Sequence, residues 1–563
     1  MEETKQARDD SKSPVERSQN GGATEKLAFP GDVEHVELSE KQIEGRSERL
    51  ADLYPDYEKK AGPIPWSAFA IIITELCERC AYYGASTLFV SFMLNNLKIT
   101  SDKATAINRG FSFIAYLTTI LGAVLADQWF GKFRVVLFFS IMYVIGLALL
   151  TLSADPDFSF DTRFPLFLVA IYLFIGFGTG GIKSNVSVYA AEQVPKDIVN
   201  HEKKVIYTQE MTVERIYRYF YWCINIGALF GQLVCPVISH TQGEKGFVYA
   251  FLIPTVFFAF GIVAFVSGKS RYINAPQYGS PLGKAFRCIR YAVSHRFKKK
   301  AGDESARPEP NIKREHWLDY AKSDVEGELE WNNQYVEDMK RTIKACKVFL
   351  FFIIYYVLYY NMFDAFVTIG THMQRPSWFG PEQMNVVDSL VIVVLMPFFD
   401  LWIYPFLRKT FGWKLGPILR CTLGFAVMTL AFIYLTIWQK VLYSTGPYYD
   451  FMSIADPHAR DQAVNNLPVW VLVVVYALVA LSEIFASCTG LELAYRAASE
   501  ELKSVVMSIF LFMSALSSLI GMILANWTRD PDYLGLFIFE TAAVGVTTIV
   551  FYVFFRKYDD DYD

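Results

Sequence analysis

Two acids and a base stand within five residues of one another, Glu75, Glu78 and Arg79, inside an apolar run from about Trp66 to Leu97. Spacings of i, i+3 and i+4 put all three side chains on one face of a helix, and Tyr82 extends that face. In the middle of a bilayer each charged side chain costs roughly 2.5–3.5 kcal/mol, so three left unpaired cost about 8–10 kcal/mol. The charges must therefore pair with one another or line a polar crevice. A structural ion pair needs one carboxylate; the second suggests a group that gains and loses a proton. This face reads as a site for protons and a charged solute.

Other polar residues stand isolated in apolar runs. Lys183 follows a glycine-rich stretch, Gly176-Phe177-Gly178-Thr179-Gly180-Gly181-Ile182. The stretch nearly matches a phosphate-binding loop, but Ile182 separates Gly181 from Lys183 and no short strand precedes it. Glycines that let helices approach closely account for it better, and Lys183 then needs a carboxylate partner or must reach for the interface. Glu483, in Ala480-Leu481-Ser482-Glu483-Ile484-Phe485, has no basic residue within a turn, so its partner must come from another helix; Lys183 is the natural candidate. Asn225 is a buried amide that suits either ligand binding or interhelical hydrogen bonding. Asp388 and Asp400 are weaker acidic candidates on one later helix. No His pair has metal-ligand spacing, there is no HExxH motif, and no nucleophile–base constellation stands out. Cys77 and Cys80 form a CxxC, but on a membrane helix this spacing reads as packing, and the eight cysteines suggest no disulfide frame.

The elements that must position these groups are membrane helices. The 563 residues are 53% hydrophobic, with mean hydropathy +0.24, which is too apolar for an ordinary soluble protein. Apolar runs of about twenty residues recur along the chain. They predict helices at about 66–97, 105–127, 135–153, 165–190, 213–238 and 247–267, then at 343–372, 384–408, 414–440, 468–496, 502–527 and 532–555. The expected organisation is a disordered cytosolic tail over 1–62, a six-helix bundle over 63–268, a cytosolic linker over 269–342, a second six-helix bundle over 343–557 and a short acidic cytosolic tail over 558–563. The linker opens on a basic amphipathic piece with Leu282, Phe286, Ile289, Val293 and Phe297 on one side; it suits an anionic leaflet or a solvated linker. Lys and Arg cluster on one side of the predicted helices, at Lys132, Arg134, Lys203, Lys204, Arg408, Lys409, Lys414, Arg496, Lys503, Arg556 and Lys557, which places both termini in the cytosol. Asp127, before Gly131 in the loop after the second helix, can pair with Arg134 or cap the next helix.

Four stretches carry a family resemblance. Glu75-Leu76-Cys77-Glu78-Arg79-Cys80-Ala81-Tyr82-Tyr83-Gly84, residues 178–193, residues 220–229 and residues 481–515 resemble the helix-one, helix-four, helix-five and helix ten–eleven blocks of the proton-coupled oligopeptide transporters, in their fungal form. The resemblance spans about Pro65 to Tyr558. It implies an all-α membrane protein with twelve transmembrane helices in the major facilitator fold, not an enzyme, importing di- and tripeptides by proton symport at the plasma membrane, as a monomer. It implies no cofactor beyond the coupling proton and no nucleic-acid partner. It assigns Glu75, Glu78 and Arg79 to proton coupling. Arg79 and Lys183 fall at the carboxylate end of a peptide pocket, Glu483 and Asn225 at its amino end, and Tyr82, Tyr83 and Tyr116 on its walls. Lys183 and Glu483 form a gating salt bridge. The chain departs from the family pattern at Cys80, at Ser86, at Asp388-Ser389 and most of all around Asn361-Met362-Phe363-Asp364, where amides give way to an acid. Another small cargo (a modified peptide, amino-acid conjugate, nitrate or metabolite) and a non-transporting peptide sensor are the alternatives.

Overall fold

The computed structural model describes residues 33–34, 54, 56–201, 203–274, 281–300, 315–323, 329–403, 406, 410, 416–496 and 502–557. Contacts divide it into two units: residues 1–62 with 195–212, and residues 63–194 with 213–563.

The large unit is built of helices. Eleven are long and apolar enough to cross a membrane. A further helix, α1 (Trp66–Ser86), stays out of that count because it carries three charged side chains. The others are α2 (Ser101–Phe130), α3 (Lys132–Ser153), α4 (Phe160–Glu192), α5 (Gln209–Thr241), α6 (Gly243–Ser267), α7 (Phe352–Thr371), α8 (Pro381–Phe398), α9 (Pro417–Tyr443), α10 (Val469–Leu493), α11 (Val505–Trp527) and α12 (Tyr533–Phe555). Two hydrophobic cores go with them, one drawn mainly from α1–α6 and one from α7–α12 and the linker. Outward faces are apolar too: Val263, Phe260, Ile523, Ile549 and Phe554 are exposed, as lipid-facing residues must be.

The glycines act as expected of small residues between helices. A Cβ on Gly227 or Gly231 of α5 would lie 2.5 Å from the carbonyl oxygen of Leu76 or Cys80, so α5 packs backbone to backbone against α1. In α4 a Cβ on Gly180 would collide with Thr118 of α2, and one on Gly181 with the Phe139 ring of α3. Cys77 packs on Gly261 of α6, and all eight cysteines are free thiols. At the turn into α3, Gly131 takes φ +77°, a conformation that glycine adopts without strain. Asp127 faces Lys132 at 3.7 Å, and Lys132 pairs with Glu192 at 2.6 Å.

Several helices are interrupted. Helix α7 is α-helical over Phe352–Tyr359, tightens to a 3₁₀ turn over Tyr360–Phe363 and restarts at Ala365. The side chain of Asp364 caps the restart by accepting from the Ala365 N–H at 2.6 Å. The apolar run after Ser86 continues as a separate short helix, Phe89–Asn95.

The small unit corrects the expected domain plan. Part of the presumed disordered tail is structured: β1 (Val33–Glu34) and β2 (Glu58–Ala61) join β3 (Ile198–Asn200) and β4 (Val205–Thr208) in a sheet of order β1-β3-β4-β2. β2 lies parallel to β4, with Glu58 opposite Val205. Strands this short show no alternating pattern, and β1 and β2 pair with strands more than 140 residues away, so no local signal marks them in the tail. Of the 1–62 tail, residues 1–32, 35–53 and 55 lie outside the described residues, as does the 558–563 tail. Of the linker, Pro281–Lys300 is the expected helix. Its supposed single apolar side is divided: Leu282 and Ile289 pack on the second core, while Phe286, Val293 and Phe297 are exposed. A second linker helix, Asn333–Phe349, leads into α7.

Candidate functional site

The charges of α1 are buried and mutually paired. Arg79 lies 3.1 Å from Glu75 and donates to Glu78 from Nε at 2.5 Å; all three are at most 4% exposed. The guanidinium stands 5.3 Å from the centre of the Tyr82 ring, and Tyr82 packs edge-on against Tyr83. One oxygen of each carboxylate, Glu75 Oε2 and Glu78 Oε1, is buried without a hydrogen-bond partner. The helix face predicted from spacing is thus real, and it holds one cation for two anions.

Lys183 enters from α4. Its Nζ lies 4.1 Å from the centre of the Tyr116 ring, and it acts electrostatically on Glu75 and Glu78. From the other half, Glu483 of α10 stands beside Tyr359 of α7 and keeps Oε2 buried without a partner. Tyr83 joins the two sides: its hydroxyl is within electrostatic reach of Arg79, Glu483 and Asp388. Tyr116 meets Tyr360 of α7 at a ring separation of 6.0 Å. Asn225 is buried, and its amide nitrogen donates to the Tyr221 carbonyl one turn back at 2.8 Å.

A residue pattern of the POT family (PTR2) matches positions 133–541. The chain is 32% identical to "Probable peptide transporter ptr2" of Schizosaccharomyces pombe, over 90% of this chain and 82% of that protein. It is also 32% identical to "Peptide transporter PTR2" of Saccharomyces cerevisiae, over 89% and 80%. The chain belongs to the POT family. Its fold is that of POT crystal structures. An "auto inhibited POT family peptide transporter" superposes with a TM-score of 0.67 at 22% identity, covering 88% of this chain and 97% of that one. The "POT family transporter PepTSo" also gives 0.67, at 21% identity, covering 88% and 99%.

Against that frame one expected contact is absent. Lys183 and Glu483 are not joined by a salt bridge; Lys183 rests on Tyr116, and the groups acting on Glu483 do not include it. A contact between the two halves exists only in conformations that bring those side chains together, and here the halves are joined elsewhere.

The joining residues lie at the end of the bundle where α1 ends and α2 and α8 begin, and most were not singled out from sequence. Arg109 of α2 reaches across to α7: it pairs with Asp364 at 2.5 Å and donates to Asn361 Oδ1 at 2.8 Å and to the Val357 carbonyl at 3.1 Å. Asn361 in turn donates to Glu540 of α12 at 3.0 Å. The break in α7 presents Asn361 and Asp364 to Arg109. Nearby, Glu382 accepts from Ser91 at 2.7 Å and bonds His240 of α5 at 2.7 Å. Asp461 accepts the Ser101 N–H at the start of α2, at 3.2 Å. Outside the spans, His372, Asp461 and Asp530 form a buried cluster whose ligand-type atoms lie within 4.8 Å of one another. Asp530 is 3.0 Å from His372 Nε2 and accepts from Tyr443 at 2.6 Å. Its neighbouring carboxylates raise the His372 pKa against the opposing effect of burial, and burial pushes Asp461 up to about 6. Arg109 and Glu540 could have been found by the same signal as Glu483: a lone charge in an apolar run.

Proposed function

We propose that this chain carries small peptides across a membrane together with protons, by alternating access. The observation that supports this most is the split of charge across the site: Arg79 and Lys183 on the first half, Glu483 and Asp388 on the second, with Tyr83 between them. A peptide zwitterion has opposite charges a few ångströms apart, and it fits such a field without needing a particular side chain. The printed names of the fungal relatives favour the same cargo class over the alternatives. Glu75 and Glu78 share one cation, so one carboxylate can be protonated without leaving Arg79 unpaired; protonation loosens Arg79 for a substrate carboxylate. The Lys183–Glu483 pair then belongs to the opposite conformation, and rocking of the two halves exchanges it with the Arg109–Asp364 contact. The proton is the coupling ion, and no other cofactor enters the scheme. The clustering of Lys and Arg supports cytosolic termini, and membership of the family favours the plasma membrane.

The test is labelled dipeptide uptake into proteoliposomes under an imposed pH gradient. Glu78→Gln is expected to abolish gradient-driven accumulation while equilibrium exchange of peptide persists. Lys183→Ala is expected to lower both. Accumulation equal to wild type in both variants rejects these roles.

A further inference from the structure

The second half of the site holds an acidic group that the zwitterion does not need. Asp388 of α8 is 6% exposed, and its Oδ1 has no hydrogen-bond partner. Its charge neighbour is Glu483, another carboxylate; no Lys or Arg figures among the groups acting on either residue. Ile392, one turn beyond Asp388, packs with Ala480 and Ile484, which flank Glu483, and Tyr221 packs against that cluster, so the two acids stand on adjoining turns of α8 and α10. Tyr83 of α1, Tyr221 of α5, and Tyr355 and Tyr359 of α7 each lie within electrostatic reach of both Asp388 and Glu483. In the first half, Glu75 and Glu78 stand against Arg79, with Lys183 close by. The site therefore sets four carboxylates against two cations.

Two adjacent buried carboxylates cannot both stay ionised without a cation. Among the described residues no Lys or Arg supplies one at this end, and a peptide amino group supplies one. Aromatic walls around acids form a box for alkylammonium or guanidinium groups, because ring faces attract cations and exclude water. We propose that Asp388, Glu483 and the four tyrosines form a cation subsite that selects peptides carrying a basic side chain in addition to the amino terminus. Glu483 takes one positive group and Asp388 the other. This rests on the peptide-symport reading above and narrows its substrate class.

The test is a competition series on purified full-length protein in proteoliposomes. Uptake of labelled Ala-Ala under a fixed pH gradient is inhibited by unlabelled Ala-Ala, Lys-Ala, Ala-Lys and Glu-Ala. The readout is the ratio of half-inhibitory concentrations within each protein, so differences in expression or turnover cancel. In wild type the better Lys dipeptide is expected to compete roughly tenfold or more better than Ala-Ala, the size of a charge-assisted hydrogen bond, and Glu-Ala worse. Asp388→Asn is expected to bring the Lys/Ala ratio to near one, and Asp388→Glu to restore the preference. Equal competition by Lys and Ala dipeptides in wild type, or a Lys preference that survives Asp388→Asn, overturns the proposal while leaving peptide transport intact. Failure of wild type to accumulate any dipeptide removes the peptide-symport reading and this inference with it.

Discussion

Asp364→Ala removes one partner of a buried ion pair that joins the two six-helix halves. Arg109 is 2% exposed and Asp364 fully buried. Deleting one partner of such a pair costs about 3–5 kcal/mol. Asn361 and the Val357 carbonyl still hold the guanidinium, so the lower figure, about 3 kcal/mol, is the appropriate one. The loss falls on the conformation in which α2 and α7 touch at this end. Where they have separated, Arg109 meets water and loses little. At 1.4 kcal/mol per tenfold, 3 kcal/mol moves the equilibrium about 150-fold. A separated conformer populated at about 1% then rises to about 60%. Ser101 is 1% exposed and sits at the same seam, bonded to Asp461 of the other half. A Ser101→Cys reporter labelled with a membrane-impermeant maleimide, against a reporter-free control for the native thiols, reads the shift. Labelling is expected to quicken by at least about tenfold in Asp364→Ala. A rate within twofold of the reporter alone, in protein of normal yield and monodispersity, would refute the claim that this pair holds the halves together.

Two further outcomes follow from packing and charge. Gly227→Leu should lower the thermal midpoint in detergent, since even its Cβ would lie 2.5 Å from the Leu76 carbonyl oxygen and overpacking costs about 1–3 kcal/mol or more; Gly535→Ala, with nothing within 4 Å of the new Cβ, should be neutral or slightly stabilising, and equal effects from the two would contradict the close α1–α5 contact. The His372–Asp461 cluster should make the fold more stable in acid. His372 is raised above 6.5, so its contribution is full below that value and is lost as pH rises through the raised one; Asp461 is raised from 3.8 to about 6, so the native state holds its proton more tightly and stability falls as pH climbs between those values. Thermal midpoints taken from pH 4 to 8 should decline less steeply in Asp461→Asn than in wild type, and an unchanged slope would count against the cluster.

The helices were legible because lipid leaves the backbone no partner but itself, so each span had to be a long apolar run. The site was legible for the complementary reason: charge in such a run is expensive, and Glu75, Glu78, Arg79, Lys183 and Glu483 stand out against it. Pairing was less legible. The partners of Arg79 lie three and four residues away and follow from helix geometry, whereas Arg109–Asp364, Ser91–Glu382 and Ser101–Asp461 are separated by 255, 291 and 360 positions. Only the arrangement of the two halves brings them together, and in the alternating-access scheme proposed above that arrangement changes. The expected Lys183–Glu483 bridge is absent for this reason: Lys183 rests on Tyr116, and the halves are closed on each other at Arg109. The sheet escaped notice because four strands of two to four residues carry no periodicity to read.

The unsatisfied carboxylate oxygens of the site define part of what it waits for. Buried polar groups in folded proteins nearly always find a partner, and exceptions call for water, an ion or a ligand. Glu75 Oε2, Glu78 Oε1, Asp388 Oδ1 and Glu483 Oε2 all lack one. All four are carboxylate oxygens, two from each half, so what satisfies them must donate hydrogen bonds and carry positive charge. Protons meet that need at Glu75 and Glu78, beside Arg79. Ammonium groups meet it at Asp388 and Glu483, where no described residue offers a cation. A conserved-volume substitution such as Glu483→Gln keeps the shape but halves the negative charge at that end, and so should weaken amine-bearing cargo more than it weakens proton binding at α1. The two ends of the site are thus separable by chemistry, and Tyr83 lies within electrostatic reach of both, of Arg79 at one and of the two acids at the other.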